Sequence, residues 1–157
     1  MSEADSSAGS RPAPHISRYR VTYRMTDQMG VVYYGHYLEL FEIGRTEMLR
    51  DAGFEYRALE RDGYYLPVVH VSADYLSPAR YDDLLLIHTW LEHLGKVRFD
   101  FRYELCREGD DRALCRGRTR HVLVGADGRP RRLEGTWLER LKPFVAQSED
   151  SGDSSPA

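Results

Sequence analysis

The chain reads as an α+β domain in which one long helix lies across a single antiparallel sheet, and three observations lead there. A strictly alternating segment opens the fold, a segment of helical period follows it, and from about residue 64 the sequence is a succession of strand-like runs punctuated by Gly, Pro and Asp. Consecutive strands on short turns imply an antiparallel meander. A long helix inserted between the first strand and the others must pack on one sheet face, which gives two layers.

Taken in order, residues 18–27 (RYRVTYRMTD) place Tyr19, Val21, Tyr23 and Met25 on one side and Arg18, Arg20, Thr22 and Arg24 on the other, the pattern of a half-buried strand. After MGVVYYG the period changes. Over residues 36–51, Tyr37, Leu40, Phe41, Gly44 and Met48 recur three and four apart, the apolar stripe of an amphipathic helix. Gly44 in that stripe costs a helix about 1 kcal/mol against Ala, which predicts a close approach of another backbone there. A weaker helical piece at 55–62 ends at Gly63. Strands are expected at about 64–76, 83–94, 97–107 and 112–125, with a further piece at 130–133 and turns at SPARYD, GK, EGDD and ADGRP. The third of these is the clearest, with Val97, Phe99, Phe101, Tyr103 and Leu105 facing one way and Arg98, Asp100, Arg102 and Glu104 the other. A final short helix, WLERLKPF, is placed to cover an edge.

The chain has 157 residues, enough for one domain that buries a core without disulfides or metal. With 41% hydrophobic and 30% charged residues it is neither collagen, coiled coil nor wholly disordered. Residues 1–17 and 146–157 are rich in Ser, Gly, Pro, Ala and acids, with little to bury, and read as disordered tails around a domain at 18–145. The tails hold most of the negative charge: Glu3, Asp5 and Arg11 sum to −1 and Glu149, Asp150 and Asp153 to −3, so the net −3 leaves the body at about +1. The first stretch lacks the apolar region of a signal peptide, and no run approaches the ~18 apolar residues of a membrane span. Two cysteines, Cys106 and Cys115, are too few for a disulfide scaffold and suggest a reducing, cytoplasmic setting.

Several familiar sites are absent: there is no GxSxG, P-loop, GxGxxG, HExxH or CxxC. HTWLEH (88–93) resembles a metal pair, but on a strand of period two His88 and His93 point to opposite faces. Cys106 and Cys115 read as packed thiols. The informative segment is TDQMGVVYYGHYLELFEIGR, residues 26–45, where an acidic residue closes a strand, a Gly-containing loop follows and a helix begins within ten residues. That arrangement brings a carboxylate toward the unpaired N–H groups and positive dipole of a helix N-terminus. Such a pairing serves either as a helix cap or as a nucleophile or base beside an oxyanion hole.

The string DQMGVVYYGHYLELFEIGRTEMLRDAG resembles the signature of the 4-hydroxybenzoyl-CoA thioesterase family of hot-dog-fold proteins, and LPVVHVSADYLSPARYDDLLLIHTWLE resembles that family's second and third strands. The resemblance implies a sheet of five to six antiparallel strands wrapped around a long central helix. It also implies a homodimer or a tetramer of two dimers, with active sites at the subunit interface. Carried over by position, Asp27 matches the catalytic carboxylate, Tyr34 the first-turn residue whose backbone N–H polarises the thioester carbonyl, and Gly30 the connecting loop. Many relatives have His where this chain has Tyr34, which leaves the backbone donor intact. His36 stands nearby as a substrate contact or a solvated cap, and Glu42 and Arg45 match positions expected to pair with each other.

The activity implied is hydrolysis of acyl-CoA to acid and CoA, with no cofactor and no metal. An acyl pocket is expected around Tyr33, Tyr37, Phe41, Tyr64 and Tyr65. The phosphates of CoA call for Arg and Lys where the carrier exits. Residues 96–120 hold eight basic residues against five acids, among them Lys96, Arg98, Arg116, Arg118 and Arg120, and Arg80 with Tyr81 is a second candidate. The same residues also read as a solvated strand face with interleaved acids, and they lack the basic stripe with spaced aromatics of a nucleic-acid surface. Two alternatives stand beside this reading: a thioesterase for acyl-carrier-protein thioesters, and a non-catalytic acyl-CoA-binding module, against which the presence of Asp27 argues.

Overall fold

The structure is a computed structural model that describes residues 12–145. Five strands, β1 (His15–Arg20), β2 (Val68–Tyr75), β3 (Leu84–Leu94), β4 (Arg98–Arg107) and β5 (Ala113–Val122), form one antiparallel sheet in the order β1-β3-β4-β5-β2. Among the described residues three α-helices accompany it: α1 (His36–Asp51), α2 (Tyr56–Arg61) and α3 (Thr136–Leu141). The helical period of residues 36–51 is realised residue for residue, and its stripe of Tyr37, Leu40, Phe41, Gly44 and Met48 is buried against the inner sheet face. In β4 the inward set Phe99, Phe101, Tyr103 and Leu105 is buried, while Arg98, Asp100, Arg102 and Glu104 face outward.

Three sequence expectations are corrected. Only β3, β4 and β5 form a meander; β2 lies beyond β5 at the far edge, and β1 pairs with β3. The connection at residues 76–83 has room for this, since eight residues reach about 26 Å and the three strand spacings between β2 and β3 amount to about 14 Å. The first strand starts at His15, inside the stretch whose composition reads as a tail, and ends at Arg20 rather than residue 27. Beyond it a 3₁₀ turn at Tyr23–Met25 breaks the alternation, burying Met25 but leaving Tyr23 78% exposed. Residues 130–133 form no strand; Pro130 makes an isolated bridge with Val124, and the Leu133 N–H donates to the Lys96 carbonyl. The C-terminal helix is present, and Val145 after it bridges Leu91 in parallel at the β3 edge, while the acidic segment 146–157 lies outside the described residues.

Helix and sheet meet most closely where side chains are missing. A Cβ on Gly44 would collide with Thr89 Oγ1 and lie 2.7 Å from Ile87 Cγ2, so the approach that the glycine permits is to two β3 side chains rather than to backbone. One strand pair over, a Cβ on Gly117 would occupy the place of the Phe41 ring, which stacks on Tyr103 with centroids 4.5 Å apart. These contacts hold α1 over the centre of the sheet, with its N-terminus at the end where β1 and β2 finish and β3 begins.

Candidate active site

The site assembles at that end of the sheet. After the 3₁₀ turn, Thr26 and Val32 bridge as an antiparallel pair, and the Tyr33 N–H donates to the Met25 carbonyl at 2.9 Å. The chain between them is a short hairpin with Asp27 at its tip. The Asp27 carbonyl accepts from the Gly30 N–H at 3.0 Å and its Oδ1 accepts from the Met29 N–H at 2.9 Å. Gly30 has φ of +75°, a left-handed conformation open to glycine at little cost, and this lets the turn close. The Asp27 carboxylate is half-exposed and makes no ion pair among the described residues.

The hairpin delivers the chain directly into α1. Tyr33, Tyr34 and Gly35 form the turn before the helix: the Tyr33 carbonyl accepts from the His36 N–H at 3.0 Å, and the Tyr34 carbonyl from the Tyr37 N–H at 3.4 Å. The amide N–H groups of Tyr34 and Gly35 have no acceptor among the described residues. They therefore stand at the positive end of the helix as open donors. The Tyr33 and Tyr34 rings pack at 4.6 Å and are 44% and 63% exposed, forming an aromatic rim. His36 Nδ1 lies 2.8 Å from Glu39 Oε1. Tyr37 differs from its expected place in a pocket: it is buried, its hydroxyl accepting from the Ala79 N–H at 3.4 Å, and it supports the site from below.

Two residues of the site escaped sequence reading. Tyr75, at the end of β2, donates its hydroxyl to the Tyr34 carbonyl at 2.9 Å and sets its ring edge-on to Tyr37 at 5.2 Å. Its signal was its place with Val71 and Ala73 in the alternating set of β2, one turn before SPAR. Ala79 is the other: its carbonyl accepts from the Val32 N–H at 2.8 Å, and this pins the loop after β2 to the Asp27 hairpin.

The basic residues divide. Arg80 bridges Val31 beside the hairpin, and its exposed guanidinium makes no ion pair among the described residues. Lys96 and Arg98 lie at the opposite end of the 11-residue strand β3, roughly 33 Å along it, so one chain does not bring them to Asp27. Arg98 is held by Asp100, whose carboxyl is shifted upward by burial but drawn down further by hydrogen bonds from Arg98 and Arg120, to about 2. Arg116 pairs with Glu104 at 2.9 Å, Arg118 with Glu92 at 3.3 Å and Arg120 with Asp100 at 3.0 Å. Arg98, Arg116, Arg118 and Arg120 thus enter a lattice of ion pairs on the outer sheet face. Glu42 and Arg45 do not pair: Arg45 turns inward and donates to the Tyr56 and Tyr103 hydroxyls at 3.1 and 3.2 Å. Of the pocket aromatics, Phe41 is closed in the core, while Tyr64 lies under Arg131 and Tyr65 bridges Val124 at the far end of the sheet. Burial raises the thiols of Cys106 and Cys115, the latter to about 12 with the charge of Asp74 adding to it. Among the described residues no group of three or more His, Cys, Asp or Glu is placed to hold a metal, and no helix is long and apolar enough to cross a membrane.

A long helix cradled on one face of a five-stranded antiparallel sheet of this order is the hot-dog fold. The comparisons agree. Residues 29–114 match the family model described as "Thioesterase superfamily". YneP of Bacillus subtilis, named "Putative acyl-CoA thioesterase YneP", is 32% identical over 112 residues, covering 70% of this chain and 80% of YneP. "Acyl-CoA thioester hydrolase YbgC" of Escherichia coli is 43% identical over 70 residues, 45% of this chain and 52% of YbgC. Among solved structures, "Probable Thioesterase from Bartonella henselae" superposes with a TM-score of 0.73 at 35% identity, covering 78% of this chain and all of that one. This chain belongs to the thioesterase superfamily.

Proposed function

We propose that the chain hydrolyses acyl-CoA thioesters to the free acid and CoA. The observation that carries this reading is the juxtaposition of the Asp27 hairpin with the open Tyr34 and Gly35 amides at the start of α1. A thioester carbonyl seated on these amides has its developing oxyanion stabilised by donors fixed before the reaction begins. Asp27 either attacks the carbonyl carbon, expelling CoA as thiolate and leaving an anhydride for water to open, or orients a water that attacks directly. The names of YneP and YbgC support CoA as the carrier. Arg80 supplies a free cation beside the hairpin for its phosphates, with Tyr33 and His36 bordering the acyl entrance.

The functional unit is a homodimer. Lys96 and Arg98 reach a carrier bound at Asp27 only from a second copy, and among the described residues β2 leaves a long edge unpaired for that copy to cover. The reading is tested by thiol release over a panel of short, medium, long and aromatic acyl-CoAs, with acyl-carrier-protein thioesters alongside. Release from at least one CoA thioester is expected, and Asp27→Asn is expected to abolish it while leaving substrate binding and the melting curve intact. Release from carrier-protein substrates alone would reassign the carrier. Full activity of the Asn variant would remove Asp27 from the chemistry.

A further inference from the structure

The peptide group joining Tyr34 to Gly35 is held from one side and open on the other. Its carbonyl oxygen accepts the Tyr75 hydroxyl at 2.9 Å, while its N–H, that of Gly35, has no acceptor among the described residues. The other hydrogen bond to that carbonyl, from the Tyr37 N–H, is long at 3.4 Å, so Tyr75 is its shorter partner. The Tyr75 ring is itself fixed, edge-on to Tyr37 at 5.2 Å and to Tyr34 at 6.3 Å, on a strand whose register with β5 sets Tyr75 opposite Cys115.

We infer that Tyr75 is a positioning residue of the oxyanion hole, acting through the Tyr34–Gly35 peptide. The inference rests on the thioesterase reading above. Two physical effects point the same way. A hydrogen bond to a peptide carbonyl polarises the whole group and strengthens its N–H as a donor, by about 10–30% per bond. The same bond also fixes the plane of that peptide, so the Gly35 N–H keeps its aim while the substrate carbonyl changes from planar to tetrahedral. Tyr33 and Tyr34 are exposed and Gly35 has no side chain, so among the described residues Tyr75 is the side chain that bonds this peptide from outside the turn. Tyr75 touches no reacting atom in this arrangement.

The test uses the full chain and three variants, Tyr75→Phe, Tyr75→Ala and Asp27→Asn, assayed on the best acyl-CoA of the panel. Tyr75→Phe keeps the ring packing and removes the hydroxyl alone. Its kcat is expected to fall roughly tenfold or more, short of the roughly 100–1,000-fold that follows removal of a direct oxyanion donor. KM and melting temperature are expected to stay at wild-type values. In a ¹H–¹⁵N spectrum its Gly35 amide is expected to move upfield. A wild-type kcat for Tyr75→Phe, with loss confined to Tyr75→Ala, would reduce Tyr75 to a packing role and overturn the inference while leaving the thioesterase reading intact. An unmoved Gly35 amide would overturn it likewise. A wild type that releases no thiol from any CoA or carrier-protein substrate would remove the thioesterase reading, and this inference with it.

Discussion

Arg45 carries a full positive charge into the core, 8% exposed, with tyrosine hydroxyls rather than a carboxylate as its partners. The hydrogen bonds run on in one direction. Tyr103 is 2.6 Å from Thr119 Oγ1, Thr119 is 2.9 Å from His121 Nε2, and His121 Nδ1 is 3.2 Å from the Leu66 carbonyl. A carbonyl only accepts, so Nδ1 carries the proton and Nε2 receives the Thr119 hydroxyl. None of this was legible in the sequence, where Glu42 and Arg45 three apart on a helix suggest each other; the inward turn of Arg45 depends on Tyr103, 58 residues away. Gly44 was legible as a close approach but not as to what. Replacing it by Ala regains about 1 kcal/mol of helix propensity but drives a methyl into Thr89 and Ile87, and overpacking of this kind costs about 1–3 kcal/mol. Gly44→Ala is therefore expected to lower stability by up to about 2 kcal/mol in urea titration, and a stabilised variant would mean that the helix is free to lift from the sheet.

At the scale of elements, α1 was readable to the residue because only one of its faces is buried, and burial on one face writes a 3.6-residue period. β1 was misplaced for the opposite reason. Its alternation continued by coincidence through Tyr23 into a 3₁₀ turn, and its true first residues, His15 and Ser17, are polar and lie in a Ser- and Pro-rich context. The basic excess at 96–120 misled because the counter-ions of Arg116, Arg118 and Arg120 sit on β3 and β4, and sequence does not show which strands are neighbours. β2 departs from ordinary strand burial along its whole length: Val68, Val69, Val71 and Tyr75 are 41–54% exposed, at an edge whose second side has no strand among the described residues. An apolar, unpaired edge of eight residues invites another chain, and a second copy approaching about a two-fold axis satisfies both edges at once. Sedimentation is expected to give a mass near twice the 18.2 kDa chain, or a multiple of that dimer, and Val71→Glu is expected to shift it toward the monomer. A wild type that sediments as a single chain at micromolar concentration would contradict this.

Across the whole molecule, the buried network ties stability to pH. Burial, reinforced by the charge of Arg45, lowers His121 to about 4, against about 6.5 for an unfolded histidine. Between those values the unfolded chain binds a proton that the folded chain refuses, so stability rises with pH across this window and is lost as pH falls through it, by roughly 3 kcal/mol in all. Asp100 is lowered as well and acts in the same sense: its pairs with Arg98 and Arg120 stabilise the fold above about pH 4 and are lost as pH falls toward 2. Urea midpoints are expected to fall steadily from pH 7 to pH 4.5, and His121→Gln is expected to flatten that slope. An unchanged slope in the variant would place the acid sensitivity elsewhere.

The contacts of Gly44 and Gly117 also limit what the enzyme can become. If the acyl group of the proposed reaction enters beside Tyr34 and follows α1 inward, it meets Phe41 after two turns, about 10 Å, where the ring fills the space over Gly117 and stacks on Tyr103. Beyond that point helix and sheet are in contact through Gly44. Lengthening the acyl chamber along this path therefore begins at Phe41, whose truncation opens room without moving the backbone. Any mutational route that starts at the glycines leads toward a wider gap and a looser fold. On the acyl path proposed here, Phe41 is the ring that can be exchanged, and it rests on two glycines that cannot.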